Sequence, residues 1–165
     1  MMVIEGMDNS GKSTLAQTLA DHMGLFIQES EGPPLSAEEI NERVDRYETM
    51  GLNYLFVRHP VISNGIYGQV REEGDPITPG RRMIFYDAKP LLIYCDAGTR
   101  GLGSHVEKAH DTAKHLEDIT NNYNKLLFLY RTWAAERAHF VYRIGDDVDE
   151  FCATVAFAYH YRFSN

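Results

Sequence analysis

The sequence predicts a three-layer α/β domain in which helices cover both faces of a five-stranded parallel sheet. Two observations predict this fold. Five short apolar runs alternate with helical segments along the 165 residues, and strands that are apolar throughout are typical of a parallel sheet covered on both faces. We find no internal repeat and no linker, so we expect one domain over residues 1–165.

Glycine and capping residues mark the elements of the first half. Gly24 follows the helical segment that begins at Ser10, and glycine is common just past a helix end. Ser36 can cap the next helix, whose first turn is acidic and which ends before Gly51. The predicted elements are strands at residues 1–6, 25–30 and 53–59, and helices at residues 10–24, 36–51 and 62–74.

The second half adds two strands. A turn-rich stretch at residues 74–80 leads into another helical segment, and a polar, glycine-bearing stretch at residues 97–111 follows the fourth strand. The predicted elements are strands at residues 91–96 and 139–144, and helices at residues 81–88, 113–137 and 146–163.

The composition limits the class of partner. The net charge of −8 argues against extended nucleic acid as a partner, because binding its backbone needs a concentrated positive surface. No apolar run approaches the ~18 residues of a membrane span, and the start lacks the features of a signal peptide, so we expect a cytoplasmic protein. Cys95 and Cys152 lie in apolar runs and are expected to be reduced core thiols, with a disulfide between them as the alternative.

The most specific motif follows the first strand, where Gly6, four residues, Gly11, Lys12 and Ser13 form the pattern G-x-x-x-x-G-K-[ST]. Four fixed positions arise by chance on the order of once in a hundred such chains. Glycines let successive N–H groups point at one anion, the lysine reaches the β- and γ-phosphates, and the serine offers its hydroxyl to Mg²⁺. The motif predicts a bound nucleoside triphosphate with Mg²⁺. We expect ATP, with GTP as the alternative donor, bound by Gly6, Asn9, Ser10, Gly11, Lys12, Ser13 and Thr14.

Residues 4–14 resemble the P-loop of thymidylate kinases, E-G-x-D-x-x-G-K-[ST]-T, and are similar to that of deoxynucleoside kinases. Residues 56–68 resemble the thymidylate kinase segment F-D-R-x-x-x-S-x-x-Y, with Ser63 shifted by one residue. The segment "QESEGPP" stands where these families carry R-E-P-G or an acid–proline pair. The resemblance covers most of the chain in element order. It implies a small, phage-like P-loop kinase that acts on nucleotides as a homodimer.

Carried over to this chain, the resemblance implies a catalytic set of Lys12, Arg58, Asp8 and Arg100. Asp8 would orient the acceptor's 3′-hydroxyl or the metal, although an aspartate that stabilises the turn is an alternative. Arg58 would lie between the donor and acceptor phosphates, since its planar fork can bridge two phosphate oxygens. Tyr67 would stack on the acceptor base, or else belong to the core.

The polar stretch at residues 97–111 occupies the position of the family's lid over the donor phosphates. Arg100 and Lys108 would reach the transferring group from there. Arg82 begins the helix that follows the acceptor segment, and is expected to contact the acceptor. Other arginines are candidates for such contacts or ordinary surface charges, namely Arg43, Arg46 and Arg81.

The sequence departs from the family at Val57, because the family places Asp or Glu directly before the arginine. Two replacements are available. Asp96 ends an apolar strand, where a carboxylate can hold Mg²⁺ through water together with Ser13. Glu29 and Glu31 close the second strand, where deoxynucleoside kinases keep the acid that deprotonates the 5′-hydroxyl. Each of these acids is otherwise a solvated residue at a strand end.

We therefore expect transfer of the γ-phosphoryl group of ATP to a deoxynucleoside 5′-monophosphate, either dTMP or a modified pyrimidine nucleotide. A monophosphate oxygen is already a nucleophile, whereas a nucleoside hydroxyl needs a base, so Val57 favours the monophosphate. Two alternatives stay open. The first is a deoxynucleoside kinase that uses Glu29 or Glu31 as its base. The second is an ATP-binding regulatory protein that has lost turnover together with the acid.

Overall fold

A computed structural model of the chain describes residues 1–98 and 113–163, without the side chains of residues 113–119 and 163. The strands are β1 (Met2–Glu5), β2 (Phe26–Gln28), β3 (Tyr54–Val57), β4 (Leu91–Asp96) and β5 (Phe140–Arg143). The helices are α1 (Lys12–Met23), α2 (Ala37–Thr49), α3 (Pro60–Tyr67), α4 (Pro79–Asp87), α5 (Ala113–Arg137) and α6 (Val148–Phe163). Within these described residues, none of the helices is both long enough and apolar enough to cross a membrane.

The five strands form one parallel sheet in the order β2-β3-β1-β4-β5, which confirms the predicted fold class. Successive residues of a strand point to opposite faces, and each face has its own core. On β1, Val3 packs into the core beneath α2, α3, α4 and α5, whereas Met2 and Ile4 pack against α1 and α6. Cys95 and Cys152 are buried free thiols in the second core, as their apolar surroundings predict.

The third helix lies earlier and is shorter than predicted. It begins at Pro60 and ends at Tyr67. The early start is explained by His59, which caps the helix through Nδ1, the acceptor of the Val61 N–H at 3.3 Å. Histidine is not among the usual capping residues, so the capping rule misses this start. After Tyr67 the chain turns at Gly68, where an added Cβ would stand 2.8 Å from the backbone nitrogen of Asp75.

Candidate active site

A cleft of about 550 Å³ opens where the carboxyl ends of the parallel strands meet. The loops that follow β1, β2 and β3 supply most of its wall, and residues of α1, α2 and α3 supply most of the remainder. It is lined by residues 8–14, residues 29–34, Ile40, Arg43 and Tyr47 of α2, Val57, Arg58 and Pro60, Ser63, Asn64 and Tyr67 of α3, Arg71 and Ile144. The cleft thus brings together segments from both ends of the chain.

The loop between β1 and α1 contains residues with positive φ angles, a backbone conformation that glycine adopts most readily. The φ angles are +150° at Gly6, +59° at Asn9 and +84° at Gly11, the residue just before α1. A Cβ added to Gly6 would stand 2.3 Å from the carbonyl oxygen of Cys95, so the loop passes directly against β4. Gly6 shapes the loop without lining the cleft. The other predicted nucleotide-binding residues all line it, namely Asn9, Ser10, Gly11, Lys12, Ser13 and Thr14.

Lys12 is the buried lysine of this loop. It begins α1, and only 8% of the residue is exposed. Its Nζ donates to the carbonyl oxygen of Met7 at 2.5 Å and to Oγ of Ser10 at 3.4 Å. Burial, followed by the charge of Arg58, lowers the pKa of Lys12 to about 7. A phosphate group bound in the loop would supply the opposite charge and raise the pKa again.

The lowered pKa of Lys12 predicts that ATP binding takes up protons. In the free protein the lysine is mostly neutral above pH 7, whereas the bound triphosphate favours the ammonium form. Uptake is therefore expected to rise from near zero at about pH 5.5 to about one proton per site at about pH 8.5. Calorimetric titrations in buffers of different ionisation enthalpy measure this uptake, and Lys12→Met is the control. A binding enthalpy at about pH 8.5 that does not depend on the buffer would contradict the prediction.

Asp8, Arg58 and Tyr67 meet in the cleft, where Asp8 belongs to the loop before α1, Arg58 follows β3 and Tyr67 ends α3. One guanidinium nitrogen of Arg58 donates to Oδ1 of Asp8 at 2.8 Å, and the other donates to the hydroxyl of Tyr67 at 3.3 Å. Burial alone would lower the pKa of Arg58, but the nearby Asp8, Tyr67, Tyr130 and Glu5 together outweigh it, so the net shift of the pKa is upward. Arg58 therefore stays a cation, and three of the expected catalytic residues, Lys12, Asp8 and Arg58, belong to one cleft.

Tyr67 belongs to the core and also lines the cleft. The residue is 2% exposed, and its ring makes an edge contact with Tyr130 of α5 at a centroid distance of 6.2 Å. The guanidinium carbons of Arg58 and Arg71 lie 5.6 Å and 5.1 Å from its ring centroid. The ring is therefore held firmly by its neighbours. Stacking on an acceptor base stays a prediction.

The acids after β2 also line the cleft, and Glu31 is tightly held. Its carboxylate accepts hydrogen bonds from Arg46 at 2.5 Å and from the hydroxyl of Tyr47 at 3.0 Å. Arg43 lies 3.6 Å away. Burial raises the pKa of Glu31, but these hydrogen bonds and charges outweigh it, so the net shift is downward. Glu29 lines the cleft two residues earlier, and the role of either acid as a base stays a prediction.

Arg43 is a cation of the cleft wall that is almost fully buried. It is 6% exposed, and it donates to the carbonyl oxygen of Gly32 at 2.8 Å and to Glu39 at 2.6 Å. These contacts fix the guanidinium beside the segment that follows β2. By contrast, Arg46 and Arg81 do not line the cleft and make ion pairs with Glu31 and Asp45.

Two expected site residues are held away from the cleft. Asp96 accepts hydrogen bonds from Arg131 at 3.0 Å and from the amide of Gly98 at 2.9 Å. Arg82 forms an ion pair with Asp75 and donates to the carbonyl oxygen of Val61 at 3.0 Å. Neither residue lines the cleft, so the metal role of Asp96 and the acceptor role of Arg82 gain no support. Residues 99–111 of the predicted lid, with Arg100 and Lys108, lie outside the described residues.

Sequence reasoning missed three polar residues. Asn64 and Arg71 line the cleft, and Nη1 of Arg71 lies 3.5 Å from Oδ1 of Asn64. Their spacing with Tyr67, of three and then four residues, is that of one helical face and could have revealed them. The third is Glu5, a fully buried carboxylate at the end of β1. The motif quoted for the resemblance contains this glutamate.

No protein-family model matches the sequence, and a search of curated proteins finds no match. Solved structures do match over nearly the whole chain. The YorR protein from Bacillus subtilis, in complex with phosphorylated GDP, has a TM-score of 0.74 at 20% identity, covering 99% of this chain and 98% of that one. Deoxyadenosine kinase from M. mycoides with bound dATP has a TM-score of 0.60 at 14% identity, covering 95% and 97%. Thymidylate kinase from Candida albicans has a TM-score of 0.55 at 12% identity, covering 98% and 91%.

The chain has the fold of the P-loop kinases. The likeness extends to a deoxyadenosine kinase and to a thymidylate kinase at similarly low identity. It therefore supports the P-loop kinase fold, and it does not single out the thymidylate kinase family that the motifs resemble. The choice of phosphoryl acceptor depends on the chemistry of the cleft itself.

Proposed function

We propose that this protein transfers the γ-phosphoryl group of ATP to a deoxynucleoside 5′-monophosphate and forms the diphosphate. The observation that carries the proposal is the set of cations that the described residues place around one cleft. Lys12 lies in the P-loop, while Arg43, Arg58 and Arg71 line the rest of the wall. A nucleoside acceptor brings no phosphate of its own, so three arginines beyond the P-loop fit an acceptor that is itself anionic.

The donor side of the cleft has the groups that triphosphate binding needs. The glycine loop and the start of α1 would hold the β- and γ-phosphates, with Lys12 beside them. Ser13 lines the cleft at the start of α1, and its hydroxyl would be the protein ligand of Mg²⁺. Such a site fits Mg²⁺, which is commonly held by few protein ligands together with substrate phosphates. Once bound, the ion would neutralise charge on the donor phosphates.

On the acceptor side, Arg58 is placed to neutralise charge during transfer. Its guanidinium is buried and charged, and Asp8 and Tyr67 orient it. Val57, the residue before it, is apolar and lines the cleft. A monophosphate acceptor tolerates this, because its oxygen attacks without losing a proton to a base. Positioning and charge neutralisation would then supply most of the catalysis.

The most specific part of the proposal is the identity of the acceptor's base. The likeness of residues 56–68 to thymidylate kinases supports dTMP or a modified pyrimidine nucleotide. The structural neighbours bind nucleotides of both kinds, since YorR holds phosphorylated GDP and the deoxyadenosine kinase is seen with dATP and with dCTP. A test of specificity must therefore cover all four bases. The homodimer and the cytoplasmic location remain predictions as well.

A deoxynucleoside kinase is the second candidate, and one observation favours it. Glu29 and Glu31 both line the cleft at the end of β2, where such a kinase keeps its base. Arg46 and Tyr47 already engage Glu31, so Glu29 is the better candidate of the two. If the acceptor is a nucleoside, Glu29→Gln is expected to abolish transfer. If it is a monophosphate, the same change is expected to leave most of the rate.

The deciding experiment is transfer of label from γ-labelled ATP with Mg²⁺ to each deoxynucleoside and each 5′-monophosphate, with Lys12→Ala as the control. Label on one or two monophosphates would support the proposal and name the base. Label on nucleosides alone would support the second candidate. Tight ATP binding without transfer to any acceptor would favour the regulatory protein, and Val57→Asp would then be the first variant to test for restored transfer.

Arg58 provides a sharper test of the acceptor side. Replacing it with glutamine keeps a polar side chain near Asp8 but removes the cation, so kcat is expected to fall by about 10³-fold. The dissociation constant for ATP should change much less than kcat, because Lys12, Ser13 and the glycines of the loop are unchanged. Arg81→Gln is the matched control, since Arg81 pairs with Asp45 outside the cleft. A loss below about tenfold in Arg58→Gln would argue against the assigned role.

A further inference from the structure

Glu5 is a buried carboxylate that the proposed reaction does not use directly. It ends β1, lies directly before Gly6, and is 0% exposed. Its Oε1 accepts the backbone N–H of His59 at 2.7 Å and the hydroxyl of Ser63 at 3.2 Å. The hydroxyl of Tyr130 donates to Oε2 at 3.4 Å. One side chain thus joins the start of the P-loop to α3 and α5.

The backbone beside this carboxylate has an uncommon conformation. Arg58 has a φ of +69°, a value that residues other than glycine and asparagine seldom adopt. Its N–H continues the sheet by donating to the carbonyl oxygen of Ile4 at 2.9 Å. The next N–H, that of His59, donates to Glu5 instead of to a strand. Because His59 is fully buried, its N–H would lack a partner if the carboxylate were withdrawn.

The left-handed turn also decides where the arginine side chain lies. At the end of β3 the chain leaves the sheet and enters α3 within three residues. The guanidinium of Arg58 reaches Asp8 of the P-loop and lines the cleft. A residue in a sparsely populated backbone conformation persists only where its surroundings hold it. The hydrogen bond from His59 to Glu5 is a contact that holds this one.

We propose that Glu5 is a positioning residue for phosphoryl transfer, whose carboxylate holds the His59 amide and thereby keeps the guanidinium of Arg58 in the cleft. The inference rests on the proposed function of Arg58. The cations nearest to this carboxylate, Arg58 and Lys12, favour its ionised form, although burial raises the pKa of Glu5 overall. The role requires a side chain long enough to reach the His59 amide, because the backbone holds that amide at a fixed place.

Two conservative variants separate reach from charge. Glu5→Gln keeps the length, and its amide oxygen can still accept the His59 N–H while its NH₂ donates to the Tyr130 hydroxyl. Glu5→Asp keeps the charge but is shorter by one methylene, so its carboxylate withdraws from that N–H. With ATP and the accepted monophosphate, kcat is expected to fall about 100-fold in Glu5→Asp. In Glu5→Gln it should fall less than about tenfold, with the Kd for ATP nearly unchanged in both variants.

Coupling to Arg58 distinguishes positioning from a merely structural role. In the Arg58→Gln background, Glu5→Asp is expected to lower kcat less than about threefold further, since the residue it positions is already gone. Additive losses in the double variant would overturn the proposal. So would a Glu5→Gln protein that is less active than Glu5→Asp, because charge rather than reach would then matter.

Hydrogen exchange tests the role of Glu5 without measuring activity, so the result does not depend on the proposed function. Hydrogen exchange of the His59 amide, followed by NMR in the protein without nucleotide, is expected to be slow in the native protein and in Glu5→Gln. In Glu5→Asp it should be at least about 100-fold faster, while the amides of β1 and β4 stay protected. Equal protection in both variants would overturn the role of Glu5. If the native protein transfers phosphate to no acceptor, the proposed function fails, and the exchange rates still decide whether Glu5 holds this turn.

Discussion

Replacing Lys12 with methionine is expected to lower kcat for phosphoryl transfer by at least about 10³-fold and to weaken ATP binding. The methionine side chain has a similar length but carries no charge for the β- and γ-phosphates. Transfer of label from γ-labelled ATP measures the loss. Lys125→Met is the matched control, because Lys125 is exposed on α5 and donates to the carbonyl oxygen of Gln69 outside the cleft.

The stability of the Lys12→Met protein shows whether the loss of activity results from a loss of folding. The pKa of Lys12 is about 7 in the folded protein, well below that of an exposed lysine. Between about pH 7 and pH 10.5 the unfolded chain therefore binds more protons at this residue than the native state does. Lys12 should therefore make the native state more stable as the pH rises across that range. Below about pH 7 the full free-energy cost of burying the charged lysine is present.

Lys12→Met is therefore expected to lose that pH dependence, and to be no less stable than the native protein at neutral pH. Urea unfolding at about pH 7 and about pH 9 measures both effects. An inactive but stable variant would assign the lysine to the chemistry of the cleft. A variant unfolded at neutral pH, or one that retains transfer, would contradict the assignment.

Replacing Gly6 with alanine is expected to lower the free energy of unfolding by about 2–4 kcal/mol and to abolish ATP binding. The added Cβ would stand 2.3 Å from the carbonyl oxygen of Cys95, and the φ of +150° is unfavourable for alanine. Either the loop or β4 must move, and the amides that face the phosphates move with the loop. Chemical denaturation and ATP titration measure the two effects.

Gly24→Ala is the control for this change. Gly24 also has a positive φ, +65°, but an added Cβ meets nothing within 4 Å. Its substitution is expected to cost about 1 kcal/mol, from the left-handed conformation alone, and to leave ATP binding intact. Equal losses for the two variants would show that the contact with Cys95 does not matter, and that the loop has room to adjust.

The positions of several cleft residues could be predicted because their signals are local in the chain. The P-loop is a contiguous pattern between a strand and a helix, so its glycines, Lys12 and Ser13 can be assigned without a fold. Asp8 and Arg58 came from the family resemblance, and the structure joins them by a hydrogen bond of 2.8 Å. No local signal predicts that bond, because the two residues lie on separate loops.

Other assignments depended on partners that no local pattern shows. Asp96 has the position of a metal-binding acid at a strand end, yet Arg131 of α5 engages it. Arg82 lies near the start of α4 and close to the acceptor segment in sequence, yet Asp75 and the Val61 carbonyl hold it elsewhere. Each arginine has several acids within reach in principle. Which acid it meets depends on how the helices pack on the sheet.

The sequence by itself determined the layered parallel sheet and the glycine-bearing loop between β1 and α1, because apolar runs and a contiguous glycine motif act through local geometry. Only the tertiary structure decided which cations line the cleft. It also placed the buried Glu5 against the amide of His59. These contacts join residues that are far apart in the chain, and they form only when the carboxyl ends of parallel strands meet at one edge of the sheet.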